Sequence, residues 1–189
     1  MKRIIAVIAG AVVATATLAT AASAGTSGPP AAPCKQIHWS SLPKSGGSPR
    51  TAPLIAARTS RHGCYDQVVF EFNGRASGYR VQYGDPVTQA VGTKMAPYMA
   101  GGALLTVVLL DPDNNIQTGA ITYAHRSGDH VANVLRYRTL RDVMYGGSFE
   151  GYTTFGVGVR AKLPFRVFVL EGPGTHSRIV LDIANHWTR

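Results

Sequence analysis

Hydrophobic and polar positions alternate with a period of two along most of the chain. In DQVVFEF, Val68, Phe70 and Phe72 fall on one face, and Val69 and Glu71 fall on the other. GYRVQY sets Tyr79, Val81 and Tyr83 against Arg80 and Gln82. Successive side chains of an extended strand point to opposite faces, so each segment predicts a strand with one buried face. LLTVVLL, from Leu104 to Leu110, is apolar throughout apart from Thr106 and predicts a strand buried on both faces. YTTFGVGVR (Tyr152 to Arg160), FRVFVLE (Phe165 to Glu171) and SRIVLDI (Ser177 to Ile183) are rich in β-branched and aromatic residues and are bounded by Gly, Pro or Asn. No segment carries a 3.6-residue apolar stripe over three turns. RYRTLRDVMY (Arg136 to Tyr145) fits a short helix or a strand equally well. Turn signals are dense, in NGRASG, YGDP, DPDNN, RSGDH, YGG and EGPGTHS. Many short strands between such turns predict an all-β fold, an antiparallel β-sandwich of two small sheets. QVVFEF and RIVLDI match in kind at every position, as two equivalent strands of a pseudo-symmetric sandwich would.

The N-terminal region lacks this pattern. Lys2 and Arg3, the apolar run from Ile4 to Leu18 and the small residues Ala22, Ser23 and Ala24 predict a signal peptide over 1–24. Retention of the run as a membrane anchor is the alternative. There is no twin Arg, and no Cys directly follows the run, so the general secretory route without lipid attachment is expected. A flexible leader and an irregular docking arm are expected over 25–52, and the sandwich over 53–189. Ile37, Trp39 and Leu42 are the side chains expected to dock the arm on the core.

Charge narrows the partners. The chain has 19 Lys and Arg against 10 Asp and Glu, a formal net charge of +9. Outside the membrane such an excess favours anionic wall polymers or lipid head groups, so a peripheral membrane contact is compatible with it. Nucleic acid is excluded as a partner, because the protein is expected to be exported and has no basic run interleaved with aromatics. The two cysteines, Cys34 and Cys64, predict one disulfide in an oxidising compartment. It would close a loop of about 30 residues, worth roughly 3 to 4 kcal/mol in the loop-entropy treatment.

SRHGCYD, from Ser60 to Asp66, raises the question of catalysis. It resembles the Ser-His-Gly-Cys signature of the L,D-transpeptidases, which would make Cys64 a nucleophile beside His62. The match is imperfect. Arg61 separates Ser60 from His62, and Tyr65 and Asp66 follow where that family has an apolar residue and then Asn or Arg. The nearest earlier histidine, His38, lies too far upstream, and the motif comes at the start of the domain. With Cys34 available as a partner, a disulfide is the preferred reading of Cys64. GVGVRA (Gly156 to Ala161) fits a dinucleotide fingerprint only formally, because Pro164 and a strand follow where a helix is required. Its glycines are expected to relieve crowding or permit a bulge. DPDNN lacks the glycine and the glutamate of a calcium loop, with Ile116 and Thr122 in their places, and reads as a hairpin turn. His125 and His130 show no zinc spacing and are expected on a polar loop. No cofactor or metal is expected.

WSSLPKS, RHGCYDQVVFEFNG, GYRVQYGDPV, GGSFEGYTTFGVGVR, PFRVFVLEGP and SRIVLDIAN together resemble the AMIN-like domain of exported actinobacterial proteins, over Trp39 to Asn185. YDQVVFEF and FEGYTTFGVGV are the most specific phrases. The family commonly has Arg where Gln67 stands. The resemblance implies a β-sandwich distantly similar to the AMIN domain, a targeting module that binds peptidoglycan, and it brings no catalytic residues. The expected function is a secreted, wall-associated binding module for peptidoglycan or another wall polymer. An interaction protein of an envelope complex is the alternative, and a transpeptidase-like enzyme using Cys64 a further one. Arg pairs bidentately with carboxylates, and an exposed Tyr covers a sugar face. The candidate binding residues on strand faces are therefore Tyr79, Arg80, Tyr83, Arg160, Arg166 and Arg178.

Overall fold

The computed structural model describes Cys34 and residues 37–76 and 78–187. The expected signal peptide and most of the leader lie outside these residues. Among these residues nine strands form two antiparallel sheets. They are β1 (Lys44–Gly47), β2 (Leu54–Arg61), β3 (Tyr65–Phe72), β4 (Gly78–Tyr83), β5 (Ala103–Leu109), β6 (Leu140–Phe149), β7 (Tyr152–Val159), β8 (Phe165–Glu171) and β9 (Ser177–Ala184). One sheet has the order β1-β4-β5-β7-β6 and the other β2-β3-β9-β8. This is the all-β sandwich that the alternation predicts.

The alternating residues meet between the sheets. Val68, Phe70 and Phe72 from β3 and Ile179, Leu181 and Ile183 from β9 are fully buried. They pack against Leu105, Val107 and Leu109 of β5 and Phe155 and Val157 of β7 in one cluster. The rings of Phe70 and Phe155 lie 4.8 Å apart, centroid to centroid. Each such side chain contributes about 2 to 3 kcal/mol of apolar burial. The two echoing segments, β3 and β9, are neighbours in one sheet. Gln67 pairs with Asp182 and Glu71 with Arg178 across the β3–β9 ladder.

Three expectations change. Arg136 to Tyr145 contains no helix, and its second half opens β6. Its alternation is broken by two bulges, between Leu140 and Asp142 and between Tyr145 and Gly147. The strands buried on both faces are β7 and β9, whereas Leu104, Thr106 and Val108 of β5 are only half-buried on their outer side. The arm is not wholly irregular, since β1 pairs with β4 from Lys44 to Gly47. Ile37 is buried as expected, but Leu42 stays exposed.

The arm and two tyrosines close one side of the sandwich. Ser40 bridges to Phe165 at the free edge of β8. Lys44 Nζ donates to Ser40 Oγ and the Leu42 carbonyl, at 2.8 Å each, above the Phe165 ring. Tyr79 Oη donates to the Val167 carbonyl at 3.0 Å, and Tyr83 Oη to the Leu163 carbonyl at 2.7 Å. On the opposite side Asp66, fully buried, accepts the N–H groups of Thr139 and Leu140 and anchors the start of β6.

Candidate functional site

The outer face of the β2-β3-β9-β8 sheet carries a continuous polar row. His62 Nε2 lies 3.1 Å from Ser60 Oγ. Ser60 Oγ donates to Gln67 Oε1 at 3.0 Å, and Gln67 Nε2 donates to Asp182 Oδ1 at 2.7 Å. Arg166 completes the row with Nε and Nη2 on Asp182 Oδ2, at 2.9 and 2.8 Å. The Arg166 guanidinium lies 4.5 Å from the Trp39 ring centre and 5.0 Å from that of Phe168. Asp182 is wholly buried, and a buried carboxylate requires such pairing. A further ion pair, Arg58 with Glu71, joins two more charges of this face.

The six residues expected to bind ligand do not converge. Arg166 and Arg178 share this outer face, but Arg166 is held by Asp182, and Arg178 donates to the Gly172 carbonyl at 3.0 Å. Tyr79 and Tyr83 are turned into the side of the sandwich by the bonds that close it. Burial pushes the Tyr79 phenol up, and that of Tyr83 up to about 12, the latter against the lowering effect of its backbone bond to Leu163. Arg80 is exposed on β4. Arg160 donates to the Asn185 carbonyl at one end of the molecule. Cys64 is bonded to Cys34, and neither cysteine is a free thiol. His62 stacks on Tyr65 at 4.4 Å. A thiolate nucleophile at Cys64 is therefore not available.

A cleft lies instead on the outer side of the five-stranded sheet, along β6 and β7. Its origin is the Gly-Val-Gly of β7. A Cβ on Gly158 would collide with the Ala100 carbonyl oxygen, and one on Gly156 with the Met99 sulfur. Glycine at both places lets the β4–β5 connection, with its short 3-10 turn Ala96–Tyr98, lie directly on the strand. This connection forms one wall, and the segment leading into β6 forms the other. Two cavities of about 590 and 520 Å³ follow one another, and Tyr98 and His130 line both.

His130 is fixed from below. Asp142, almost fully buried and opposite Gly158 in the ladder, receives the Ala100 N–H on Oδ2 at 3.1 Å. Its Oδ1 lies 2.7 Å from His130 Nδ1. One buried carboxylate thus ties the wall to the floor and orients an imidazole that is half-exposed in the cleft. Around it stand Asn133, Tyr137 and Arg141 in one cavity, and Thr88, Gln89 and Ser127 in the other. The lining offers an aromatic face, an imidazole, amides and hydroxyls, which suits hydroxyl-rich ligands. Among the described residues no group of three or more His, Cys, Asp or Glu side chains is placed to hold a metal ion. The sequence signal for this site was the Gly-x-Gly pair; nothing in the sequence alone joins Tyr98, His130 and Asp142.

The family model for the AMIN-like domain matches residues 52–185. No curated protein matches the chain.

Proposed function

Because the chain belongs to the AMIN-like domain family, whose members are cell-wall-related modules of the extracytoplasmic space, we propose that it is a secreted, non-catalytic binding module for a cell-wall polymer. The proposed site is the cleft along β6, and the polymer is a glycan such as peptidoglycan. The observation that carries this reading is the Asp142–His130 pair, which fixes an imidazole beside Tyr98 where the two cavities meet. Tyr98 offers its ring to a sugar face, as an aromatic with a polar tip does at wet interfaces. His130, Asn133 and Gln89 supply hydrogen bonds to hydroxyl and amide groups, and Arg141 a cation for a stem-peptide carboxylate. A strand advances about 3.3 Å per residue, so the floor from Asp142 to Gly146 extends roughly 13 Å, enough for two or three sugars.

The sheet face expected from the sequence is a weaker site, because Arg166 and Arg58 are already paired with Asp182 and Glu71. Retention of the secreted protein on purified wall sacculi tests the reading. The native chain is expected to be retained, and His130→Ala and Tyr98→Ala each to weaken retention at least tenfold; thermal stability should be unchanged for the exposed Tyr98 and lowered for His130, whose loss leaves Asp142 buried without the imidazole. Retention that survives both substitutions would move recognition to another surface. A native chain that does not bind sacculi would reject this ligand.

A further inference from the structure

The cleft's rim has a character that the floor does not explain. Val91, Tyr98 and Leu135 line it and are 83, 69 and 91% exposed. They sit on two segments that meet only in space, the β4–β5 connection and the approach to β6. The first segment, from Gly84 to Gly102, contains one acidic residue, Asp85, beside the end of β4, and the second, from His130 to Arg141, contains none. Lys94 lines the cleft beside Val91, Arg141 lines it beside Leu135, and Arg136 borders the adjoining hollow with Leu135. The ion pairs among the described residues leave these three cations out. Arg141 donates to the carbonyls of Tyr137 and Leu140, which hold its position without cancelling its charge. The acids that flank the second segment are committed elsewhere: Asp142 is buried against His130, and Asp129 caps Arg126 and faces His125, so Lys94, Arg136 and Arg141 face Asp85 alone.

We infer that this rim is a peripheral docking surface for an anionic lipid bilayer. Exposed aliphatic tips that enter the acyl boundary, a Tyr at head-group level and flanking Lys and Arg are the chemistry of interfacial attachment. The excess of positive charge selects the anionic bilayer over a neutral one. Among the described residues no helix is long and apolar enough to span a membrane, so this contact is with the surface. The inference does not depend on polymer binding. Where both hold, the polymer taken is the stretch nearest the membrane.

Co-sedimentation of the secreted chain with vesicles tests it, using phosphatidylglycerol mixed with phosphatidylcholine against phosphatidylcholine alone. Binding is expected on the anionic vesicles only and is expected to fall with added salt. Leu135→Ser should weaken it roughly tenfold, and Val91→Ser somewhat less. Lys94→Gln combined with Arg136→Gln should weaken it by a similar factor. Thermal unfolding should be unchanged, because these side chains stand in solvent. His130→Ala should leave vesicle binding intact while reducing retention on sacculi, which separates this contact from the proposed glycan site. No binding to anionic vesicles, equal binding to neutral ones, or binding that ignores the rim substitutions would overturn the inference. Retention on sacculi that follows Leu135 and Val91, without vesicle binding, would overturn it too and assign the rim to the wall.

Discussion

At the residue scale, Asp182 shows how a charge can be kept inside an exposed sheet face. It is fully buried, while its partner Arg166 remains partly in solvent and lies against Trp39. The two partners are therefore not equivalent. Arg166→Ala strands a buried carboxylate with Gln67 as its remaining side-chain donor and should cost about 3 kcal/mol. Replacing both partners, Arg166→Met with Asp182→Val, should recover most of that loss, because an apolar pair needs no compensation. Urea unfolding measures both. A loss below about 1 kcal/mol for the single substitution would mean that the pair does not hold the face. The same chemistry explains why Arg166, picked out in the sequence, is already engaged and not free to pair with a ligand carboxylate. Residue type and strand position were legible, but the acidic partner across the ladder was not.

At the scale of elements, the period-two segments folded as they read, from β3 and β4 to β7, β8 and β9. β2 escaped notice because Ala56, Ala57, Thr59 and Ser60 give no strong alternation. β1 is KSGG, with no apolar pattern at all, and is held by main-chain pairing to β4 while Gly46 lies against the Tyr79 ring. β6 was ambiguous because each bulge shifts the alternation by one residue. The cleft was illegible for a different reason: its parts lie far apart in sequence and meet only because β7 has no side chains at Gly156 and Gly158. Gly158→Ala should therefore act in two ways. It should destabilise the fold by about 2 kcal/mol or more, and it should lift Ala100 off Asp142 and disorder the cleft. Gly63→Ala, with open space around its Cβ, should change stability by less than about 0.5 kcal/mol. Equal effects at the two glycines in thermal unfolding would refute the close approach.

At the scale of the molecule, the two sheets are closed along one side by tyrosine hydroxyls, and this gives stability an alkaline limit. Tyrosine in an unfolded chain ionises near pH 10. In the folded chain burial raises Tyr83 to about 12, and it raises Tyr79, Tyr123 and Tyr145 as well, with Asp129 adding at Tyr123 and the hydrogen bond to Asp113 at Tyr145. As pH rises past 10 the unfolded chain loses these protons first. The stabilisation is complete below pH 10 and is lost between about 10 and 12. Phenolate absorbance should show a late phase that coincides with loss of the β-sheet circular dichroism signal. Ionisation of all tyrosines in a single phase near pH 10, with the fold intact, would contradict this.

The same sandwich presents two unlike outer faces, one with Arg58 and Arg166 already paired and one cut by a cleft, and the account assigns recognition to the second. Backbone amide shifts of the labelled protein, titrated with solubilised wall fragments, test that assignment most directly. The account predicts perturbations clustered at Tyr98, Ala100, His130 and Asp142. Perturbations clustered instead at Arg58, Val69, Val180 and Arg178, on the opposite sheet, would contradict it.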